Sequence, residues 1–150
     1  MAIIKEVRIK VSSVIENLDA AGLAEGEAER AESVTVGYLH IFDNERLLTY
    51  AEEQEGARTV TEIKLLHGTV RVLRHGAIES DIIFDEGATH RSVYSVVPYK
   101  FDAEVTTKRI RDSLTECGGA LDLFYNMKIG GAQKQCRMKI TVTDSNLNSI

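Results

Sequence analysis

The stretch from Arg58 to Tyr94 decides the fold of this chain: RTVTEIKLLHGTVRVLRHGAIESDIIFDEGATHRSVY. Apolar residues such as Ile63 and Leu65 recur at every second position, and charged residues lie between them. Alternation with a period of two is typical of half-buried strands. Predicted turns separate the strands at His67-Gly68, His75-Gly76 and Glu86-Gly87. Because these connections are too short for helical crossovers, the stretch predicts an antiparallel meander of four strands.

The segments on either side continue the same pattern. They predict strands at Ile3 to Ile15, Val34 to Phe42, Leu48 to Glu52, Tyr99 to Val105, Leu121 to Ile129 and Cys136 to Val142. Arg109 to Glu116 is predicted to continue as a strand, with a helical turn as the alternative. Between Glu16 and Glu32 the chain is acidic and rich in alanine, which fits either a short helix at Asn17 to Ala24 or a solvated loop. About eight to ten antiparallel strands predict an all-β fold, an up-and-down barrel of the lipocalin or calycin type, with a β-sandwich as the alternative.

Composition narrows the class of protein. The 150 residues predict a single β-barrel domain over residues 1–150, and the net charge of −5 argues against a general nucleic-acid binder. No segment has the apolar length of a membrane span, and the charged start of the chain does not resemble a signal peptide. We therefore expect a cytoplasmic protein with no membrane partner, in which Cys117 and Cys136 are reduced thiols. Nothing in the sequence specifies an oligomeric state.

Polar residues on otherwise apolar strand faces are the main functional signal. They are Tyr50, Glu52, Arg74, Tyr94 and Tyr125. If these faces point into the barrel, the interior holds a carboxylate, a guanidinium and several phenols, and Arg74 is suited to grip an anionic ligand. The alternatives are an internal network in which these groups satisfy one another, or an Arg74 that reaches solvent from its strand end. The pattern predicts a non-enzymatic protein that binds a small ligand inside the barrel.

Motifs for catalysis, metal or cofactor binding are not found in the sequence. Cys117 and Cys136 lack the close spacing of a zinc or redox motif, and the four histidines are not paired. The glycine pairs at 118–119 and 130–131 fit hairpin turns and not a phosphate-binding loop. We therefore expect no catalytic residue, no metal ligand and no cofactor.

Basic clusters give the alternative function. They comprise Lys108, Arg109 and Arg111, and further along the chain Lys128, Lys134, Arg137 and Lys139. Within this second group, alternation places Lys128, Arg137 and Lys139 on the outside of the last two strands. A positive stripe there would bind RNA phosphates or an acidic protein partner, although solvated faces usually carry such charges too. No aromatic residue is interleaved with the clusters along the chain.

Single residues spread over nearly the whole chain carry a family resemblance. In order they are Gly26-Glu27, Leu48, Tyr50, Glu52, Thr59, Arg74, Gly76, Phe84, Tyr94, Pro98, Tyr99, Gly119 and Tyr125. This set resembles the YwiB-like family of small, uncharacterised bacterial proteins. The resemblance implies a calycin-like barrel whose biochemical function is unknown. The chain departs from the family pattern at Val97 and Lys100, on either side of Pro98-Tyr99.

Overall fold

Ten antiparallel strands make up the computed structural model, which describes residues 2–145. The strands are β1 (Ala2–Leu18), β2 (Ala24–Phe42), β3 (Glu45–Gln54), β4 (Ala57–Leu66), β5 (Thr69–Gly76), β6 (Ser80–Phe84), β7 (Thr89–Val96), β8 (Tyr99–Asp112), β9 (Gly119–Ile129) and β10 (Ala132–Asp144). They form one sheet in the order β6-β5-β4-β3-β2-β1-β10-β9-β8-β7. Each strand pairs with its neighbour in the chain except β6 and β7, which lie at the two ends of the sheet, and β1 pairs with β10.

The two ends of this sheet, β6 and β7, come together and nearly close a barrel. At one end of the seam Glu79 and Ser95 exchange backbone hydrogen bonds of 2.9 and 2.8 Å. At the other end Thr107 hydrogen-bonds through its backbone to Gly87 and Ala88. One continuous sheet that curls onto itself confirms the predicted all-β barrel and excludes the two packed sheets of a sandwich.

The core of the barrel is formed by alternate residues along the strands, with no fully buried residue coming from the described β7. Residues such as Ile9, Leu39, Ile63 and Leu123 are fully buried, while their neighbours along the strand face outward. Burying such a side chain contributes about 1.5–3 kcal/mol relative to leaving it exposed. The alternation predicted for the meander and for the last two strands is confirmed.

The region from Glu16 to Glu32 differs from both sequence interpretations. It is neither a helix nor a solvated loop, because β1 continues to Leu18, a tight turn follows, and β2 begins at Ala24. Cross-strand pairing with β1 overrides the local composition here. Among the described residues, β2 pairs with β3 only from Tyr38 to Phe42. The acidic half of β2 therefore forms an exposed sheet edge, and its charges disfavour pairing with the edge of another molecule.

Smaller differences concern turns and the chain end. His75-Gly76 belongs to β5 and not to the following turn, which spans 77–79. The predicted frayed tail lies mostly outside the described residues, since β10 ends at Asp144 and residues 146–150 are not described.

No helix in the described part of the chain has the length and apolar character needed to cross a membrane. Cys117 is exposed, Cys136 is buried, and both are free thiols.

Candidate ligand-binding site

A row of polar side chains crosses the inner face of four neighbouring strands. Tyr50 of β3 lies opposite Thr61 of β4, Thr61 opposite Arg74 of β5, and Arg74 opposite Ser80 of β6. Tyr50, Thr61 and Ser80 are buried and Arg74 is half-buried. Because directly opposed residues point to the same face of a sheet, the four side chains form one polar layer across the barrel.

Tyr50 is held in this layer by a close approach of β3 to β2. At Gly37 of β2 a Cβ atom would overlap the carbonyl oxygen of Thr49 and the Cβ of Tyr50, so only glycine fits. The Tyr50 phenol hydrogen-bonds to the side chain of Thr61. Burial raises the pKa of Tyr50 to about 12, although the nearby Arg74 guanidinium acts in the opposite direction.

Tyr125 faces this layer from β9 on the other side of the barrel. Its ring packs edge-on against Phe84, with the ring centroids 4.8 Å apart. Its hydroxyl hydrogen-bonds to the thiol of Cys136, the residue directly opposite on β10. Burial raises the pKa of Tyr125 above its usual range and raises the pKa of Cys136 to about 11. Arg74 and Tyr94 both affect the pKa of the Tyr125 phenol, so residues from the two sides of the barrel lie close together here.

An inner cavity of about 310 Å³ lies between these two sides. Its apolar walls include Val72, Ile82, Phe84, Met127 and Met138, and its polar groups include Arg74, Tyr94, Tyr125 and Lys134. Each charged residue that lines this cavity is a lysine or an arginine. The volume and the mostly apolar lining with a few polar groups are typical of small-molecule sites.

Arg74 connects the cavity to the open rim of the barrel. Its side chain also lines two shallower hollows, of about 350 and 450 Å³, both of which include Glu52. Glu52 accepts a hydrogen bond of 2.8 Å from Ser33 Oγ and makes no ion pair with Arg74. Within residues 2–145 the Arg74 guanidinium has no hydrogen bond and no ion pair. The internal Glu52–Arg74 pairing that the sequence left open is therefore wrong.

The five residues predicted from the sequence all point to the inner face, but they occupy two levels. Arg74, Tyr94 and Tyr125 line the inner cavity, and Tyr50 lies beside Arg74 in the polar layer. Glu52 lies one step nearer the rim, where it lines the hollows. Whether the five bind a ligand stays a prediction.

Two further residues of the site were missed by sequence reasoning. Lys134 is half-buried and lines the cavity, whereas the sequence analysis assigned it only to a basic cluster. Its inward direction could have been inferred from its two-residue spacing before the buried Cys136. Ser80 is buried and its hydroxyl has no hydrogen-bond partner among the described residues. No signal in the sequence marks that hydroxyl.

Fold and site together define a small antiparallel β-barrel protein with an apolar cavity that has cationic and phenolic groups at one end. Residues 17–140 match the family described as "Domain of unknown function (DUF1934)", and the chain belongs to this family. It is 28% identical over 137 residues to "Uncharacterized beta-barrel protein YwiB" of Bacillus subtilis (strain 168), covering 91% of each chain. The crystal structure of the ywiB protein from Bacillus subtilis matches with a TM-score of 0.82 at 27% identity, over 95% of this chain and 93% of that one. These findings confirm the YwiB-like resemblance, including its unknown function.

Proposed function

We propose that this protein binds a small amphipathic anion in the open end of its barrel. The observation that carries the proposal is the Arg74 guanidinium, which is half-buried at the cavity and has no partner among the described residues. A buried or half-buried charge normally has an ionic or hydrogen-bonding partner, because leaving water is costly. A carboxylate, sulfonate or phosphate group would supply that partner, and the arginine fork can hold it by two hydrogen bonds.

The rest of the cavity supports an anion that also has an apolar body. Lys134 adds an inward-facing cation, and none of the described carboxylates lines the cavity. The remaining surface of Phe84, Met127 and Met138 would bury the apolar part of the ligand. A hollow of about 460 Å³ between β7, β8 and β9 is larger, but Arg91, Asp102, Glu104 and Lys128 give it charges of both signs. The inner cavity is therefore the better match for an anion.

Binding is favoured over catalysis by the state of the cavity thiol. Burial raises the pKa of Cys136 to about 11, so at neutral pH the residue is a thiol and not the thiolate that acts as a nucleophile. We also propose that the barrel encloses its ligand as lipocalin-like or calycin-like barrels do. We further propose a cytoplasmic location, which the two free cysteines support.

The proposal can be tested with a matched pair of fluorescent probes. 1-Anilinonaphthalene-8-sulfonate carries an anionic sulfonate on an apolar aromatic body, and N-phenyl-1-naphthylamine has the same body without the charge. The wild-type protein should bind the sulfonate more tightly than the neutral probe. Arg74→Met should weaken sulfonate binding about tenfold or more, which is the effect expected on losing a charge-assisted hydrogen bond, and should leave the neutral probe unchanged.

Arg71→Met is the control, because Arg71 lies on the same strand but faces outward, where it pairs with Asp81. This variant should bind both probes like the wild type. Thermal unfolding of each variant verifies that it is folded. Equal affinity of wild type and Arg74→Met for the sulfonate would overturn the proposal.

A further inference from the structure

The outer surface of four adjacent strands carries a concentration of positive charge that contrasts with the acidic composition of the chain. It spans the middle of β8, β9, β10 and β1, and we call it the basic face. Its cations are Lys108, Arg109, Arg111, Arg137, Lys139, Lys10 and Arg8, all of them exposed. Lys10, at the border of the face, pairs with Glu32 of β2 at 3.3 Å. Asp122 lies among these cations, and Glu6 and Glu16 of β1 and Glu104 of β8 lie on the same outer surface nearer the strand ends. The net charge of −5 therefore does not describe this side of the barrel.

Cross-strand register brings these cations together from distant parts of the sequence. Arg111 lies opposite Asp122, and Asp122 opposite Lys139. In the next row Arg109 lies opposite Phe124, and Phe124 opposite Arg137. The expected basic stripe is thus real but differently composed. Its predicted member Lys128 lies opposite Gln133, nearer the hairpin end of β9, and Lys134 points inward.

One carboxylate lies among several of these cations. Asp122 accepts hydrogen bonds of 3.2 and 2.8 Å from Arg137, which hold its pKa below the usual range, and Lys139 and Arg111 act in the same direction. Arg109, Arg111 and Lys139 have no ion pair or hydrogen bond from their side chains in the described part of the chain. The face therefore has cationic groups in excess of what its own carboxylate can balance.

An aromatic ring lies at the centre of this charge. Phe124 is half-buried between Arg109 and Arg137, and the Lys108 ammonium is 5.7 Å from its ring centroid. Arg109, Arg111, Arg137, Asp122 and Phe124 line a hollow of about 310 Å³. Sequence reasoning found no aromatic residue interleaved with the basic clusters, because Phe124 lies outside both clusters along the chain. Its position depends on the β8–β9–β10 register, which the sequence does not show.

We infer that the basic face binds single-stranded RNA. Arginines and lysines in four adjacent strands, about 4.8 Å apart, would contact successive phosphates along an extended path. Phe124 in the hollow would stack on one base, a contact that is tolerant of sequence. An acidic protein is the less suitable partner, because stable protein interfaces need a packed apolar centre. On this face Phe124 and Val14 are the larger outward apolar side chains, and both are already half-buried.

The test is fluorescence anisotropy with a fluorescein-labelled oligouridylate of about 12 nucleotides, titrated with the full chain at salt concentrations from about 50 to 200 mM. Arg109→Glu with Arg111→Glu should weaken binding about a hundredfold at the lowest salt. The slope of log affinity against log salt should become shallower by roughly 0.7 for each phosphate that the variant no longer binds. Phe124→Leu keeps the apolar bulk but removes the ring, and should weaken binding about fivefold or more.

Arg91→Glu with Lys100→Glu is the matched control, since it changes the net charge equally at exposed positions outside the basic face. It should bind RNA nearly as well as the wild type. Thermal unfolding checks that all variants are folded. Three results would overturn the inference: no binding by the wild type, an equal loss in the control, or an unlabelled poly-glutamate that competes as well as RNA while Phe124→Leu has no effect. The last result would identify an acidic protein as the partner.

Discussion

The two ends of the barrel interior are built from the same strands, yet one is packed and the other is open. On β5, Val70 and Val72 are buried in the core, and Arg74, the next inward residue, reaches the cavity. On β9, Leu121 and Leu123 are fully buried, whereas Met127 is only partly buried and lines the cavity. Inward and outward residues alternate in the same way at both ends, so the difference in packing comes from which side chains face inward. Apolar residues fill one end, and charged, phenolic and flexible residues leave room at the other.

The largest effect should come from truncating the packed end. Leu123→Ala should lower the free energy of unfolding by about 3 kcal/mol, because it leaves a hole in a region that cannot collapse around it. Met127→Ala, four residues along the same strand and face, should cost only about 1 kcal/mol, since its side chain already borders a cavity. Urea denaturation measures both. Equal losses would mean that the two ends are packed alike.

The next effect concerns alkaline pH and the phenol in the polar layer. The pKa of Tyr50 is 10.0 without perturbation and about 12 in the folded protein, because burial disfavours the phenolate. Below pH 10 the phenol is protonated in both states and contributes no pH dependence. Between pH 10 and pH 12 the unfolded chain releases the proton and the folded protein keeps it, so stability falls as pH rises.

Tyr50→Phe should therefore make the decline in stability above pH 10 shallower. The difference in the free energy of unfolding between wild type and variant should change by about 2–3 kcal/mol from pH 10 to pH 12, which corresponds to a shift of two pKa units. Urea denaturation at a series of pH values gives the two curves. Parallel curves would show that this phenol is not protected from solvent in the folded protein.

The smallest effect separates two hydroxyls within the polar layer. Thr61 hydrogen-bonds to the Tyr50 phenol, so Thr61→Val should cost about 1 kcal/mol and leave the phenol without this partner. The hydroxyl of Ser80 has no partner among the described residues, so Ser80→Ala should be neutral or slightly stabilising. Comparing the two free energies of unfolding tests the assignment of partners. A larger cost for Ser80→Ala would point to an unrecognised hydrogen bond at the β6 side of the layer.

What the sequence predicts well is what depends on neighbours along the chain. Strand alternation correctly places Tyr50, Arg74 and Tyr125 on the inner face, because a period of two is a local property. The long β1–β2 hairpin was missed, since its acidic, alanine-rich residues favour a strand only through pairing with β1. The positions of Lys134 and Phe124 relative to other charges depend on how ten strands are aligned around the barrel. That alignment is a property of the whole sheet.

The most direct test of the central claim is native mass spectrometry of freshly purified wild type beside Arg74→Met, each compared with its denatured mass. The account predicts that the wild type carries an anionic adduct that is released on denaturation. The variant should carry little or none of it. Two results would contradict the claim that the open end of the barrel binds an anion through Arg74. In the first, Arg74→Met retains the adduct as well as the wild type does. In the second, the wild type has the bare mass of the chain and also fails to bind the anilinonaphthalene sulfonate.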